Sequence, residues 1–282
     1  MRVLPAAGLR FAKMHGLGND FVVIDGVRQA LTLTPTQVQA LADRHFGIGC
    51  DQVLLLEASA RPQADFTYRI FNADGSEVEH CGNGARCAAR FVREQGLSDR
   101  DTLCFDTLGG LIRPRLLPDG QVEVQMGVPT FTPPDIPFEA PAEALDYPLE
   151  VAGETLRVAA LAIGNPHAVL QVADVDRAPV ATLGPQIERH ARFPRRVNAG
   201  FLQVLDRGEG RLRVYERGVG ETLACGSGAC AAFVAAVRWG VFDAAARLHL
   251  PGGTLELAWA GAGTPVYLTG PAVTVFEGTL SV

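Results

Sequence analysis

Lysine is nearly missing from this chain: Lys13 is the only one among 25 basic residues, the rest being arginine. A pyridoxal phosphate enzyme needs a Schiff-base lysine, so Lys13 would have to serve, and nothing phosphate-binding surrounds it. Cysteine is sparse as well, 6 in 282 residues, too few for a disulfide scaffold. Cys81 with Cys87 and Cys225 with Cys230 are spaced C-x₅-C and C-x₄-C inside helical runs, unlike zinc knuckles, so no metal site is expected. There is no basic excess: a net charge of −6 argues against a nucleic-acid footprint. No apolar run approaches the ~18 residues of a membrane span, and the first ten residues, broken by Pro5, Gly8 and Arg10, make no signal sequence. The expectation is a soluble, cytoplasmic protein without cofactor, nucleic acid or membrane partner. Its 48% of hydrophobic residues suffices for one large or two medium cores.

What the chain does contain, it contains twice. Residues 81–87 read C-G-N-G-A-R-C and residues 225–230 read C-G-S-G-A-C, each opening a small-residue helical run. The first turn of a helix has N–H groups without intrahelical partners, and with the macrodipole these favour a thiolate or a bound carboxylate. Glycine lets that backbone approach a ligand closely.

The flanking segments repeat too. Gly18-Asn19 leads into a strand at Phe21–Ile24, and Gly164-Asn165 into one at Ala168–Val172. Gln52 precedes the strand Val53–Glu57 as Asn198 precedes Gly200–Leu205. Asn72 stands nine residues before Cys81 and Glu216 nine before Cys225, while Glu77 and Glu221 each lie four before. Asn19 to Cys81 spans 62 residues and Asn165 to Cys225 spans 60. Thr34–His45 reads as a helix with Thr34 as N-cap and Pro35 at its first position. Residues 129–148, with six prolines, read as a linker or edge segment.

The pattern predicts an internal duplication of a β-rich lobe of roughly 120 residues. The expected class is α+β: two pseudo-symmetric lobes, each a curved, mostly antiparallel sheet or barrel around a central helix, with the active-site cleft between them. Residues 1–127 with 271–282 would form the lobe carrying Cys81, and residues 128–270 the lobe carrying Cys225. A pseudo-two-fold axis would bring both cysteines to one ligand. A carboxylate held by N–H groups of Gly82, Asn83, Gly226 and Ser227, with a thiolate on one face of its α-carbon and a thiol on the other, describes a two-base racemase or epimerase. Helix N-termini can lower a thiol from ~8.5 to roughly 3.5–7.5. The carbanion, without pyridoxal, needs preorganised donors that contribute ~3–4 kcal/mol each.

Cys50, Cys87, Cys104 and Cys230 read as inert buried thiols. Glu77 and Glu221 would either act on the cysteines or be solvated loop charges. His15, His45, His190 and His249 read as structural or surface residues, and Arg195-Arg196 as solvated. His80 and His167 lie near the motifs, with His167 the better functional candidate.

The strings G-L-G-N-D-F-V-V-I-D, G-C-D-Q, F-N-A-D-G-S-E-V-E-H-C-G-N-G-A-R-C, G-N-P-H, Y-E-R-G-V-G-E-T-L-A-C-G-S-G-A-C-A and T-G-P-A-V-T-V-F-E-G closely resemble the diaminopimelate epimerase family. The resemblance implies pyridoxal-independent interconversion of LL- and meso-2,6-diaminoheptanedioate in lysine biosynthesis, with Cys81 and Cys225 as the acid/base thiols. It further implies that Asn19, Gln52, Asn72, Gly82, Asn83, Asn165, Asn198, Glu216, Arg217, Gly226 and Ser227 bind substrate, and that His167 and Glu216 tune the thiols. Ser227 stands where the family often has threonine, which keeps the N–H and the hydroxyl. The last strand, after about Gly270, would return to the first lobe, and the family admits a homodimer. The alternatives are a proline or hydroxyproline racemase, an isomerase of the phenazine-pathway type, and a non-catalytic amino-acid-binding protein. Arg217 and the array of asparagines favour a substrate with a second polar end.

Overall fold

The computed structural model describes residues 8–79 and 81–281. The backbone divides into two packed units, one taking the chain up to Val124 and again from Gly270, the other Gln125–Thr269.

In the first unit the elements are β1 (Leu9–Gly16), β2 (Asn19–Asp25), α1 (Pro35–Ala42), β3 (Gln52–Ala58), β4 (Phe66–Asn72), β5 (Glu77–Val78), α2 (Gly82–Glu94), β6 (Phe105–Thr107), β7 (Gly110–Ile112), β8 (Arg115–Leu116) and β9 (Val122–Gln125). β1 and β2 join through Leu17 (φ 57°) and Gly18 (φ 87°), both left-handed, the turn geometry that matches hairpin twist. β2 and β3 run parallel, and parallel neighbours need a crossover, which α1 supplies. A capping box fixes its start: Thr34 accepts from Gln37 N–H and the Gln37 side chain returns a bond. The helix ends at Ala42, short of the predicted His45, because Asp43 leaves helical geometry.

The two central strands are covered on both faces. Val22, Ile24, Val53 and Leu55 pack with Val38 and Leu41 of α1, while Phe21 and Leu54 approach Gly84 of α2. β4 and β6 are again parallel, with α2 as crossover. The last strand of the chain, Val273–Leu280, pairs antiparallel with β1. Arg86 of α2 is fully buried, and its Nε donates to the Pro271 carbonyl at 3.2 Å, tying the helix to the segment that enters this strand. Pro114, which has no N–H, separates β7 from β8.

The second unit holds a 3₁₀ turn (Pro133–Asp135), β10 (Tyr147–Val151), β11 (Glu154–Ala162), β12 (Pro166–Gln171), α3 (Val180–Glu188), β13 (Asn198–Asp206), β14 (Glu209–Glu216), β15 (Gly220–Thr222), α4 (Gly226–Arg238), β16 (Ala245–Leu250), β17 (Gly253–Trp259) and β18 (Val266–Gly270); the chain's last strand is β19. Its sheet runs β10-β11-β12-β13-β14-β16-β17-β18, with β15 on β14. β12 and β13 are parallel with α3 between them, and β14 and β16 parallel with α4 between them, the plan of the first unit repeated. The duplication extends to register. Phe21 faces Gln52 as His167 faces Asn198, Phe71 faces Glu77 as Tyr215 faces Glu221, and Phe66 faces Phe105 as Gly210 faces Leu248.

Every residue of α4 from Gly228 to Ala236 is buried, with β11, β12, β13, β14, β16 and β17 around it, which explains a helix apolar on all sides. The proline-rich segment is not a free linker. Ile136, Phe138 and Tyr147 belong to the core of this unit, Phe138 stacks on Phe193 at 4.5 Å, and Thr130 bridges to Ala162. Proline restricts the unfolded segment and so lowers the entropy cost of ordering it, while the large apolar side chains supply burial. No helix among the described residues is long and apolar enough to cross a membrane.

Candidate active site

Each motif cysteine is the N-cap of its helix. Cys81 has extended backbone (φ −146°) and its sulfur accepts the Gly84 N–H at 3.4 Å; Cys225 (φ −115°) accepts the Gly228 N–H at 3.3 Å. Serine, threonine or aspartate usually fills this position, so sulfur here replaces the customary oxygen acceptor. The glycines are required by space. A Cβ on Gly84 would lie 2.3 Å from the Tyr68 hydroxyl, and one on Gly228 would lie 3.1 Å from the Cys225 sulfur and 3.0 Å from Val214.

In the first unit the sheet delivers the predicted amides to one end. Asn19 and Gln52 open the parallel strands β2 and β3, and Asn72 closes antiparallel β4 opposite Gln52. Gln52 Nε2 donates to Asn72 Oδ1 at 2.9 Å, and Asn72 Nδ2 to Ser76 at 3.1 Å. Asn83, on the first turn of α2, donates to Asn19 Oδ1 at 3.2 Å, and the Cys81 sulfur lies 3.9 Å from the same oxygen. Asn19, Asn83 and Cys81 thus form one cluster. Gly82 is buried at the helix start.

The second unit assembles the equivalent set. Asn165 precedes β12, Asn198 opens β13 and Glu216 closes β14. Asn198 is 2% exposed and both ends of its amide are engaged, Oδ1 by the Arg217 N–H at 2.9 Å and Nδ2 by the Pro166 carbonyl at 3.1 Å. Its visible work is to shape the turn that presents Arg217. His167 is buried, and its Nε2 donates to Asn165 Oδ1 at 2.9 Å. Burial, with Arg217 nearby, lowers its pKa to about 3, so the ring is neutral. Glu216 accepts from the Thr222 hydroxyl, and Ser227 Oγ is 3.7 Å from the Cys225 sulfur. Gly226 is buried at the start of α4.

Burial raises the Cys225 thiol well above its ordinary value, the Glu216 carboxylate adds to this, and the Gly228 N–H and Ser227 only partly offset them. The helix N-terminus alone would predict the opposite direction; desolvation wins because the sulfur is almost wholly removed from water. Burial likewise pushes Cys50 up to about 11 and Cys87 to about 12, in keeping with inert thiols.

Glu77 and Glu221 are neither thiol partners nor free loop charges. Arg69 Nε and Nη2 hold both Glu77 oxygens at 2.8 Å, and Arg213 holds Glu221 at 2.6 and 2.9 Å. These twin bidentate pairs pin the short strands β5 and β15 just ahead of the cysteines. Arg196 is also not simply solvated. It reaches the buried Glu188 at 3.4 Å, Arg189 reaches it at 3.1 Å, and Glu188 accepts the Gly218 N–H at 2.9 Å beside Arg217. Glu188 escapes sequence reading because its role exists only once α3 is placed against that turn. His80 lies outside the described residues.

Each unit repeats a βαβ plan in which a cysteine caps the second crossover helix, α2 or α4, and solved proteins share this two-unit α+β fold. A PhzF-family phenazine biosynthesis protein from Bacillus anthracis is similar, with a TM-score of 0.70 at 16% identity over 97% of this chain and 99% of that one. A hydroxyproline epimerase from Agrobacterium vitis gives a TM-score of 0.69 at 17% identity over 99% and 94%. Within this fold class the chain belongs to the diaminopimelate epimerase family, whose model matches residues 11–132 and 159–275. Diaminopimelate epimerases of Azoarcus sp. (strain BH72) and Aromatoleum aromaticum are both 59% identical to it, over 96% and 97% of this chain and 98% and 99% of theirs.

Proposed function

We propose that this protein interconverts LL- and meso-2,6-diaminoheptanedioate without pyridoxal, by proton transfer between two thiols and one α-carbon, in lysine biosynthesis. The observation that carries this is the matched pair of N-capping cysteines in a chain of the diaminopimelate epimerase family. One cysteine, as thiolate, removes the α-proton; the electron pair passes into the carboxylate as an enediolate; the other, as thiol, gives its proton to the opposite face. Atoms balance, and each turnover leaves the protonation of the sulfurs exchanged, ready for the reverse reaction. Burial and the Glu216 carboxylate favour the protonated form of Cys225 before substrate binds.

The reacting carboxylate is bound by N–H groups of Gly82, Asn83, Gly226 and Ser227, where the helix dipoles stabilise the charge that develops. Glu216 receives an ammonium and Arg217 a carboxylate. Asn19, Gln52, Asn72, Asn165 and Asn198 line or shape the remaining polar contacts, and neutral His167 orients Asn165. The protein works in the cytoplasm. It assembles as a homodimer, for which Val273, Val275 and Phe276, exposed along the end strand β19, offer an apolar face.

Purified protein incubated with LL-diaminopimelate in D₂O should wash deuterium into one α-position and yield the meso form, and should leave proline unexchanged. Absence of exchange at any pH removes the assignment. Cys81→Ala and Cys225→Ala should each lower turnover by about 10²–10⁴-fold with the fold intact. A ligand-bound structure with the two sulfurs in separate pockets would end the two-thiol mechanism.

A further inference from the structure

Asn19 is held from behind by charge. Its Nδ2 donates to Asp51 Oδ2 at 2.9 Å, and the Asp20 N–H reaches the same oxygen at 3.2 Å. Asp51 N–H answers on Asp20 Oδ1 at 2.9 Å. Arg44 bridges the two carboxylates at 2.8 Å each, and Lys13, the sole lysine, reaches Asp20 at 2.6 Å. Burial raises the pKa of Asp20, but the hydrogen bonds from Arg44 and Lys13 outweigh it and hold the carboxyl far below the usual range.

We propose that Asp51 is a positioning residue for Cys81: its carboxylate decides which end of the Asn19 amide faces the sulfur. An ionised carboxylate only accepts hydrogen bonds, so the amide must turn its NH₂ toward Asp51. The carbonyl oxygen is then left facing Cys81 and Asn83. A carbonyl accepts from S–H and offers nothing to a thiolate, so this orientation favours the protonated form of Cys81. The device belongs to the first unit alone. Val197 occupies the place before Asn198 that Asp51 occupies before Gln52. There the equivalent amide, Asn165, is held by its oxygen, through His167. The duplicated asparagines are therefore anchored by opposite ends. The catalytic meaning rests on the epimerase reading, whereas the effect on the sulfur does not require substrate.

The test is alkylation of Cys81 by iodoacetamide as a function of pH, quantified on the Cys81 peptide by mass spectrometry in full-length protein carrying Cys225→Ala. Tyr68 of β4 and Cys87 of α2, the titratable groups among the described residues that interact electrostatically with Cys81, stay unchanged. Asp51→Leu, which frees the amide to turn, should lower the alkylation midpoint by about half a pH unit and raise the neutral-pH rate about threefold. Asp51→Asn, whose Oδ1 still accepts, should shift it less, and Asp51→Leu in an Asn19→Ala background should add nothing. A wild-type midpoint in Asp51→Leu with native circular dichroism, or an equal shift without Asn19, overturns the proposal. If Asp51→Leu does not fold, a wild-type midpoint in Asp51→Ala, which removes the acceptor with a smaller side chain, overturns it. Loss of deuterium exchange in the wild type would end the epimerase reading and leave this result standing on its own.

Discussion

His167 is an uncharged ring in a buried place, and that has a signed consequence for stability. Its folded pKa is depressed to about 3, below an unfolded value of ~6.5. Between these values the unfolded chain binds the proton and the folded chain does not. The stabilisation is complete above about pH 6.5 and is lost as pH falls, with a slope of up to about 1.4 kcal/mol per pH unit. Denaturant melts from pH 7 to 4.5 should show that slope, and His167→Gln should flatten it; an unchanged slope would mean the ring titrates normally. Gly84 is the second residue-scale test. Gly84→Ala forces a methyl against the Tyr68 hydroxyl and should cost about 1–3 kcal/mol by overpacking. Gly84→Ala with Tyr68→Phe should recover much of that loss, since the phenylalanine lacks the obstructing oxygen.

Elements raise a different question: what keeps each cysteine-bearing turn in place. β5 and β15 are only two and three residues long, too short to hold register through backbone bonds alone. The Arg69–Glu77 and Arg213–Glu221 pairs add two-point links from the long strands β4 and β14. Partly exposed pairs are usually worth under 1 kcal/mol, and bidentate geometry puts these near the top of that range. A double-mutant cycle with Arg69→Met and Glu77→Gln should give a coupling of about 1 kcal/mol in melts, and both single variants should lower turnover because Cys81 follows directly. A coupling of zero would make the pair incidental. The duplication was legible in the spacing of Asn, Gln and Cys, but α3 was not, since Gly184 and Pro185 inside Val180–Glu188 argue against a helix. Its position follows from the parallel pairing of β12 with β13, which requires a crossover there.

For the whole molecule, the homodimer proposal is the one that mass measurement decides. β19 ends its sheet with Val275 56% and Phe276 48% exposed, which leaves both an apolar face and unpaired backbone. Light scattering should give twice the 30.0 kDa chain mass, and Phe276→Asp should shift it toward the monomer; a monomeric wild type would retire the idea. The sequence by itself determined the class, the repeated plan and where the cysteines and amides fall within it, because those depend on local rules: glycine beside a helix start, amides at strand ends, spacing repeated in register. Only the tertiary structure decided which groups meet. It showed Asn198 engaged at both ends, Glu77 and Glu221 as clamps, Glu188 buttressing the Arg217 turn and Asp51 anchoring Asn19. It also reversed the expected direction of the Cys225 pKa. Those outcomes depend on burial and on partners far apart in the chain, and both are set only when the sheets and helices close around the side chains.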